Sequence, residues 1–269
     1  MNMTESLRGP FARQAFKLSA GKQDRLISIA SPLLLLLVWE IAARTGLIDT
    51  RFFPAPTTIS HTMVALMGSG ELWSNTWTSL RRLFWGFLLG GIPALLLGIL
   101  MGLYRPLRAA VDPLIAAIYP IPKSALLPLI LLIFGLGEAS KIVIVAIGVF
   151  FPICINSLAG VREINKIYLD VGKNFRASRW QTFFTIALPG ALPFIMSGVR
   201  LGVGMGLILI AIAEMIGAKS GLGYMIWNAW EILSVETMYV GMITIAVIGY
   251  SFTMLLKELE RWIIPWKVE

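Results

Sequence analysis

Long apolar runs recur six times in this chain of 269 residues, and they restrict the folds that it can adopt. Each run is close to the roughly 20 residues that cross about 30 Å of hydrocarbon as a helix. Because the bilayer core offers the backbone no water, runs of this length favour helices, whereas the strands of a membrane barrel alternate and are about ten residues long. The sequence therefore predicts an all-α membrane protein with six transmembrane helices, at residues 26–43, 77–103, 111–134, 142–159, 192–216 and 238–256.

The composition also indicates a membrane environment, and it excludes disulfide and clustered metal sites. Hydrophobic residues make up 57% of the chain and charged residues 14%, so its apolar surface would aggregate in water. One cysteine and one histidine leave neither an intrachain disulfide nor a clustered metal site. We interpret Cys154 as a small packed side chain and His61 as a polar residue of a surface helix. No metal and no cofactor is expected on this chain.

The distribution of lysine and arginine predicts the orientation. If both termini are cytoplasmic, most of the 23 basic residues fall on the inner side. This agrees with the excess of lysine and arginine that cytoplasmic loops carry. We expect a cytoplasmic segment at residues 1–25, a transmembrane domain at 26–256 and a cytoplasmic tail at 257–269. Anionic lipid accounts for the net charge of +8, so no nucleic-acid partner is needed. Arg81 and Arg82 lie near the outer start of the second run, so either that helix begins earlier or their side chains snorkel.

Residues 161–191, between the fourth and fifth runs, have the pattern of two short helices outside the membrane. The second helix begins at Ser178, which can form a capping box with Gln181, and we expect it to end at Pro189 because the ring denies a backbone hydrogen bond. This pattern alone leaves open whether the pair lies in the headgroup layer or docks a protein partner. On the first helix, apolar residues at steps of three and four form one stripe: Ile164, Ile167, Tyr168, Val171 and Phe175.

The spacing within this segment resembles the EAA motif of ABC importer permeases, E-A-A-x3-G-x9-I-x-L-P. Ile186, Leu188 and Pro189 match it, whereas Arg176 stands where the motif has glycine. Because that glycine serves a left-handed turn, we expect Arg176 to strain the backbone or to shift the turn toward Gly172. The resemblance implies a cytoplasmic two-helix coupling loop for an ATPase at residues 161–191, carried by Asp170, Val171, Gly172, Arg176, Ala177, Ser178, Ile186, Leu188 and Pro189.

Further segments are similar to the nitrate, sulfonate, taurine and bicarbonate branch of these permeases, among them FFPAPTTI, LPGALPFIMSGVRLGVGMG and AEMIGAKSGLGYMI. This resemblance implies a type I ABC importer permease-like fold in the bacterial cytoplasmic (inner) membrane. It also implies a homodimer that pairs with two cytoplasmic ABC ATPase subunits and receives solute from a periplasmic or extracellular binding protein. The solute expected for this branch is a small anion, such as a sulfonate or taurine, nitrate or bicarbonate, moved by alternating access.

Other functions would leave different signs in the sequence. No G-x4-G-K-[ST] motif is present, so we expect the partner chain to bind and hydrolyse ATP, and this chain not to be an enzyme. A secondary transporter or channel is the alternative, and it would act without an ATPase. A membrane enzyme would need clustered histidine, aspartate or cysteine near an interface, and the single His and Cys argue against it.

Three charged residues within the runs are candidates for the translocation pathway: Lys123, Arg200 and Glu214. Lys123 lies among prolines that disrupt helical hydrogen bonding, and it either attracts an anionic substrate or pairs with a carboxylate. Arg200 and Glu214 are about 21 Å apart on one helix and cannot pair with each other. We expect Arg200 to snorkel at the inner boundary and Glu214 to have a structural partner at the outer mouth. Glycines spaced four apart in the second and fifth runs predict close helix packing.

Overall fold

The computed structural model describes residues 20–265, with the backbone alone given for residues 20–26 and residue 29. Within this part every regular element is a helix. The described residues form two compact units, one that ends at Thr57 and one that begins at Thr58. The predicted N-terminal segment up to residue 19 and the end of the predicted tail, residues 266–269, lie outside the described residues.

Helix α1, Ala20–Arg44, covers the first predicted run. Its leucines from Leu33 to Leu37 are exposed, as suits a helix in contact with lipid. Near its end Glu40 accepts hydrogen bonds from the Thr57 backbone N–H at 3.0 Å and the Thr57 hydroxyl at 2.8 Å. These bonds join the end of α1 to the start of α2, Pro56–Gly68.

Four helices of the described part are long and apolar enough to cross a membrane. They are α3, Glu71–Leu103; α6, Glu138–Arg162; α9, Leu188–Met215, with the helical turns before it from Arg179; and α11, Val235–Ile263. Each contains one predicted run, except that α9 ends one residue before the predicted end at residue 216. Because α3 begins at Glu71, before the predicted start, Arg81 and Arg82 lie inside a helix, which confirms one of the two expectations for them.

The third predicted run, residues 111–134, is not one continuous helix, and the disruption of helical hydrogen bonding expected from its prolines takes the form of a sharp break. Helix α4, Arg105–Ile118, is followed by a 3₁₀ turn at Lys123–Leu126 and by α5, Leu127–Phe134, and the two halves meet at 88°. Pro120 and Pro122 lie in the break, where each removes a backbone donor, and Pro122 itself has a non-helical ψ of 119°. The described part has five candidate spans if this bent pair crosses as one.

The core lies where α3, α6 and α9 pack together, and glycine lets α3 and α6 touch through their backbones. A Cβ atom added to Gly98 of α3 would lie 2.5 Å from the carbonyl oxygen of Cys154 in α6. A Cβ on Gly102 would lie 2.5 Å from Cβ of Val161. The predicted close packing is therefore confirmed for this pair. Cys154 is fully buried and His61 is exposed on α2, as interpreted from the sequence.

After α9 the glycine-rich segment leads into α10, Leu222–Glu231, rather than forming only a loop. Leu222, Met225 and Ile226 are buried. The corner before α11 contains Leu233, one of two residues other than glycine with a positive φ among the described residues.

Candidate functional site

Helix α7, Lys166–Asn174, forms the first half of the predicted coupling loop, residues 161–191, which we call the coupling loop. The Asn165 side chain accepts a hydrogen bond from the Ile167 N–H at 3.0 Å and caps its start. After α7 the chain turns at Arg176, where φ is 51°. The predicted strain at Arg176 is confirmed, and the turn does not move to Gly172, which is buried inside α7.

The second half of the coupling loop begins as predicted but does not end as predicted. The Gln181 N–H donates to Ser178 Oγ at 3.2 Å and the Ser178 N–H donates to Gln181 Oε1 at 2.7 Å, so the capping box is confirmed. A short helix α8, Arg179–Gln181, then leads through a π-helical segment, Thr182–Ala187, directly into α9.

The expectation that Pro189 ends this helix is therefore wrong. In the π-helical segment the Leu188 N–H donates to the Phe183 carbonyl, five residues back. This wider turn moves the preceding carbonyls away from their α-helical positions, and it accommodates the Pro189 ring without a break. Pro189 then lies in the first turn of α9, where its missing N–H is tolerated.

An open groove of about 780 Å³ lies between α7 and the π-helical segment, and we call it the coupling groove. At its floor Ile186 packs on Gly172, because a Cβ on that glycine would lie 2.8 Å from Ile186 Cδ1. Asp170 lies outside the groove on an exposed face, 3.3 Å from Lys173 Nζ. The groove is lined by Ile164, Tyr168, Val171, Gly172, Phe175, Ala177, Gln181, Thr185, Ile186, Pro189 and Gly190.

Lys123 lies at the bend between α4 and α5. Its ammonium donates to the carbonyl oxygens of Ile118 at 3.2 Å, Tyr119 at 2.7 Å and Ile121 at 2.8 Å. It also lies 4.4 Å from the centroid of the Phe151 ring. Among the described residues no carboxylate pairs with it, so both sequence-based alternatives stay predictions. The charge instead satisfies carbonyls left open where α4 ends, and it stabilises the bend.

A cluster of charged and polar side chains, buried except for Glu138, lies at the C-terminal end of α9. Arg82 Nη1 is 2.8 Å from Glu214 Oε1, with side-chain exposures of 3% and 0%. Arg82 Nε also donates to Glu138 at 2.9 Å, and the Ser79 hydroxyl donates to Glu214 at 2.7 Å. The expected structural partner of Glu214 is thus Arg82. We call this set the polar cluster: Asn75, Ser79, Arg82, Glu138 and Glu214.

The polar cluster also caps α10. The Gly221 N–H donates to Asn75 at 2.8 Å, the Leu222 N–H to Ser79 Oγ at 2.8 Å and the Gly223 N–H to Glu214 at 3.0 Å. These donors would otherwise be unsatisfied at the start of a buried helix. The cluster therefore fixes α10 to α3 and α9.

Two further cations are tied to neighbouring segments. Lys141 is buried in α6 and donates to the carbonyls of Leu136 and Gly217. Arg200 of α9 pairs with Glu260 of α11 at 2.7 Å. Its side chain therefore has a carboxylate partner, which the expected snorkelling toward the inner membrane boundary did not include. Among the described residues, Lys123, Arg200 and Glu214 are not bonded to one another; the structure places them at three separate positions.

No group of three or more His, Cys, Asp or Glu in residues 20–265 could hold a metal ion.

Residues 94–267 match the family model described as binding-protein-dependent transport system inner membrane component. The chain belongs to this family. It is therefore a multi-pass inner-membrane permease of an ABC importer, a transport subunit and not an enzyme. A binding-protein-dependent system of this kind implies an ATPase and a binding protein as partners.

The permease has close curated relatives. It is 35% identical over 251 residues to the taurine transport system permease protein TauC of Escherichia coli strain K12, with 90% of each chain covered. It is 33% identical over 236 residues to the putative aliphatic sulfonates transport permease protein SsuC of Bacillus subtilis strain 168, covering 88% of this chain and 86% of that one.

A solved structure supports the fold. A chain of the MetNI methionine ABC transporter in an inward-facing conformation matches with a TM-score of 0.54 and 21% identity, over 75% of this chain and 98% of that chain. At this identity the match concerns the fold alone.

Sequence reasoning about the permease missed Arg82 as the partner of Glu214, and it missed Asn75, Lys141 and Glu260. The sequence places the charge of Arg82 near the outer start of a predicted run, but its partner Glu214 lies 132 residues away along the chain. A rule that every charge within a span needs a partner would have flagged Arg82 and Glu214 together.

Proposed function

We propose that the permease forms the translocation pathway for a small organic anion, a sulfonate such as taurine, with nitrate or bicarbonate as related candidates. Relatives that are 33% to 36% identical are named as taurine or aliphatic sulfonate permeases, and this supports the substrate class. Two copies, each with six spans and cytoplasmic termini, would assemble with two ATPase subunits and a binding protein. Alternating access would be driven by ATP hydrolysis in the partner subunits.

The observation that carries the mechanism is the unbroken helical path from the coupling loop into the membrane. Residues Arg179–Met215 form one helical stretch of 37 residues that is long and apolar enough to cross a membrane. Its α9 part alone extends about 42 Å at 1.5 Å per residue. A displacement of the coupling loop by the ATPase would therefore move α9 directly, without a flexible joint between them.

The residues of the coupling loop keep the roles that the motif gives them in this proposal. Asp170 and Arg176 would contact the ATPase from the exposed side, whereas Gly172 and Ile186 hold the two halves together. A role of Lys123, Arg200 and Glu214 in the pathway stays a prediction, and each of them has a protein partner in the structure.

Reconstitution tests the assignment to an ATP-driven importer. Proteoliposomes with the permease, its ATPase and the binding protein should take up radiolabelled taurine only when ATP is supplied. Asp170→Lys should lower both ATPase retention and uptake, whereas Glu231→Lys, a charge reversal at the exposed end of α10, should leave ATPase retention unchanged. Uptake without the ATPase would favour the alternative, a secondary transporter or channel.

The substrate class is tested separately. The binding protein loaded with taurine, an alkanesulfonate, nitrate or bicarbonate should stimulate ATP hydrolysis by the assembled importer to different extents. We expect the sulfonates to stimulate most. Stimulation by nitrate or bicarbonate alone would reject sulfonates as the substrate and leave the importer assignment intact.

Lys123 is tested by comparing Lys123→Ala with Lys123→Arg. If its charge attracts the anion, the alanine variant should need a higher substrate concentration for half-maximal uptake, and arginine should restore part of the effect. An unchanged concentration dependence in Lys123→Ala would exclude an anion-attracting role and leave the support of the bend as its function.

A further inference from the structure

A groove of about 630 Å³ lies between residues 77–87 of α3, 199–203 of α9 and 252–256 of α11, and we call it the α3 groove. Its lining residues are aliphatic or aromatic apart from Arg81. Trp77, Phe84 and Leu255, which line it, are 70%, 56% and 54% exposed. Because all three helices are candidate membrane spans, this apolar surface is suited to contact with the bilayer.

Arg81 lies at the edge of the hydrocarbon core. Residues 83–103 of α3 carry no charged side chain, and as a helix they extend about 30 Å, which is the thickness of that core. Trp73 and Trp77, two turns and one turn before Arg81, are 59% and 70% exposed. Tryptophan is enriched at the membrane–water interface, where the lipid headgroups lie. The guanidinium of Arg81 is therefore at the level of the headgroups.

From Arg81 the α3 groove continues into the hydrocarbon. Val203 of α9 lines it and lies eleven residues before Glu214, which is bonded to Arg82 beside the mouth of the groove. At 1.5 Å per residue this distance is about 16 Å, close to half the thickness of the core. The groove therefore has the depth of one leaflet, with a cation at its headgroup end.

The charges around Arg81 leave one cation uncompensated. Glu138 is bonded both to Arg81, at 3.3 Å, and to Arg82, at 2.9 Å. Glu214 is bonded to Arg82, and the buried cation Lys141 follows Glu138 by three residues in α6. Three cations therefore lie around two carboxylates. Of these three, Arg81 is the exposed one, at 52%, so an anion from the bilayer would approach there.

A second copy of the chain fits this face less well than a phospholipid does. In a two-fold interface the same patch lies on both subunits, so each copy would bring its own Arg81 to the contact. Cations would then be added where they already outnumber the carboxylates. A phospholipid supplies a phosphate and an apolar chain in one molecule, which matches the order of Arg81 and the apolar lining.

We propose that the α3 groove binds an anionic phospholipid of the bilayer, with its phosphate on Arg81 and one acyl chain along Phe84 and Val203. A headgroup without a cation of its own is favoured, because its phosphate then supplies the whole missing negative charge. The lipid would bridge α3 to α9 and α11. This site goes beyond the proposed function, since it requires neither the ATPase nor a transported anion.

Lipid binding to the full-length permease in detergent, measured by native mass spectrometry, tests the headgroup contact. Phosphatidylglycerol should bind about fivefold more tightly than diacylglycerol with the same chains, as expected for one arginine near a membrane surface. Arg81→Gln should reduce this preference to about twofold or less. Arg105→Gln, at an exposed arginine just after the other end of α3, should keep it.

The acyl-chain contact is tested on α11. Leu255→Trp fills the α3 groove, whereas Val247→Trp places the same ring on α11 outside the lining, at a side chain of matching exposure, 55% against 54%. Both lipids should bind about fivefold more weakly or worse to Leu255→Trp, because apolar surface for the chain is lost. Val247→Trp should stay within about twofold of wild type.

The outcomes decide the headgroup and the chain separately. Equal binding of phosphatidylglycerol and diacylglycerol to wild type, or an equal loss of preference in Arg81→Gln and Arg105→Gln, would overturn the inference at Arg81. Unchanged binding to Leu255→Trp, or the same loss in Val247→Trp, would place the lipid elsewhere and overturn it at the groove. Neither result bears on the importer assignment, which is tested by uptake and by the ATPase.

Photo-crosslinking in nanodiscs does not depend on a substitution. Phosphatidylglycerol that carries a diazirine in one acyl chain should label residues 252–256 of α11, and an excess of unlabelled phosphatidylglycerol should reduce the labelling. Labelling that avoids these residues in nanodiscs would show that the groove is covered in the membrane, as by a second copy of the chain, and would overturn the inference.

Discussion

At the scale of residues, Arg82 and Glu214 show how charges are kept within candidate membrane spans. Both side chains are almost completely buried, and each has further polar partners besides the other. Two ions withdrawn from water compensate their lost hydration only if nearly all of their hydrogen-bonding capacity is used. Removing one member leaves the other uncompensated, so the pair is more sensitive to mutation than its net contribution to stability suggests.

Glu214→Gln should therefore destabilise the permease strongly. The cost is expected to be about 3 to 5 kcal/mol because Arg82 would lose its buried counter-ion. Thermal unfolding in nanodiscs measures it. Glu138→Gln is the matched control, since the Glu138 side chain is 49% exposed and its loss should cost less. Equal melting temperatures for Glu214→Gln and wild type would contradict this assignment.

Arg176→Gly should stabilise the coupling loop. Glycine removes the strain of the left-handed backbone, although it adds entropy to the unfolded chain, so we expect a gain of up to about 1 kcal/mol. Resistance of the loop to limited proteolysis reports the change. Arg179→Gly, at an ordinary position in α8, should instead increase cleavage. Faster cleavage of Arg176→Gly than of wild type would show that the strain is unimportant.

Residue-scale features were predictable where their partners are close in sequence. The capping box of Ser178 and Gln181 and the strain at Arg176 follow from local spacing, and both are confirmed. The carbonyl partners of Lys123 are also local, and the disruption by neighbouring prolines was expected, but which carbonyls the ammonium reaches depends on the 88° bend. The link from Arg82 to Glu214 depends on how distant helices pack, and spacing carries no information on it.

At the scale of elements, the π-helical segment Thr182–Ala187 sets the register between the coupling loop and α9. Each residue of an α-helix corresponds to a rotation of about 100° and a rise of about 1.5 Å. In the proposed docking, the additional residue of a π turn would therefore determine which face of the coupling loop the ATPase meets relative to the membrane helices.

Deleting Thr182 should uncouple the permease. The residues before the deletion would rotate by about 100° relative to α9. ATP-driven uptake in proteoliposomes should be lost, although the variant still inserts in the membrane. Thr182→Ala keeps the register and should transport normally. Wild-type uptake by the deletion variant would rule out this role of the segment.

Helix packing gives a second prediction at this scale. Gly98→Ala places a Cβ against the Cys154 carbonyl oxygen, at 2.5 Å in the present geometry, and backbone atoms cannot move aside easily. We expect a loss of about 1 to 3 kcal/mol. Gly204→Ala is the control, since nothing lies within 4 Å of its added Cβ. A melting experiment on both variants distinguishes them, and similar values would contradict the close approach.

Elements were predictable where apolar length and continuity determined them. The runs at 77–103, 142–159 and 238–256 lie within long helices, and the run at 192–216 does so apart from its last residue. Prolines limit what the sequence predicts, in opposite directions. The disruption at Pro120 and Pro122 was expected but its 88° bend was not, whereas Pro189 does not end the helix because a π turn, which no sequence pattern indicated, accommodates it.

At the scale of the whole molecule, the proposed orientation places the coupling loop and the segment after α9 on opposite sides of the membrane. Lys166 and Lys219 are exposed in these two regions, and the only cysteine is buried. In right-side-out vesicles an impermeant maleimide should label Lys219→Cys at once and Lys166→Cys only after permeabilisation. The reverse pattern would invert the orientation and remove the coupling loop from the ATPase side.

The glycine contacts between α3 and α6 have a consequence for movement. Where main chain lies against main chain, no side chain is present that could change rotamer and permit a slide. We therefore expect these two helices to tilt as a single block. In the proposed alternating access, a change between inward-open and outward-open states would then be absorbed elsewhere, and the break between α4 and α5 is a place where the chain already departs from a straight path.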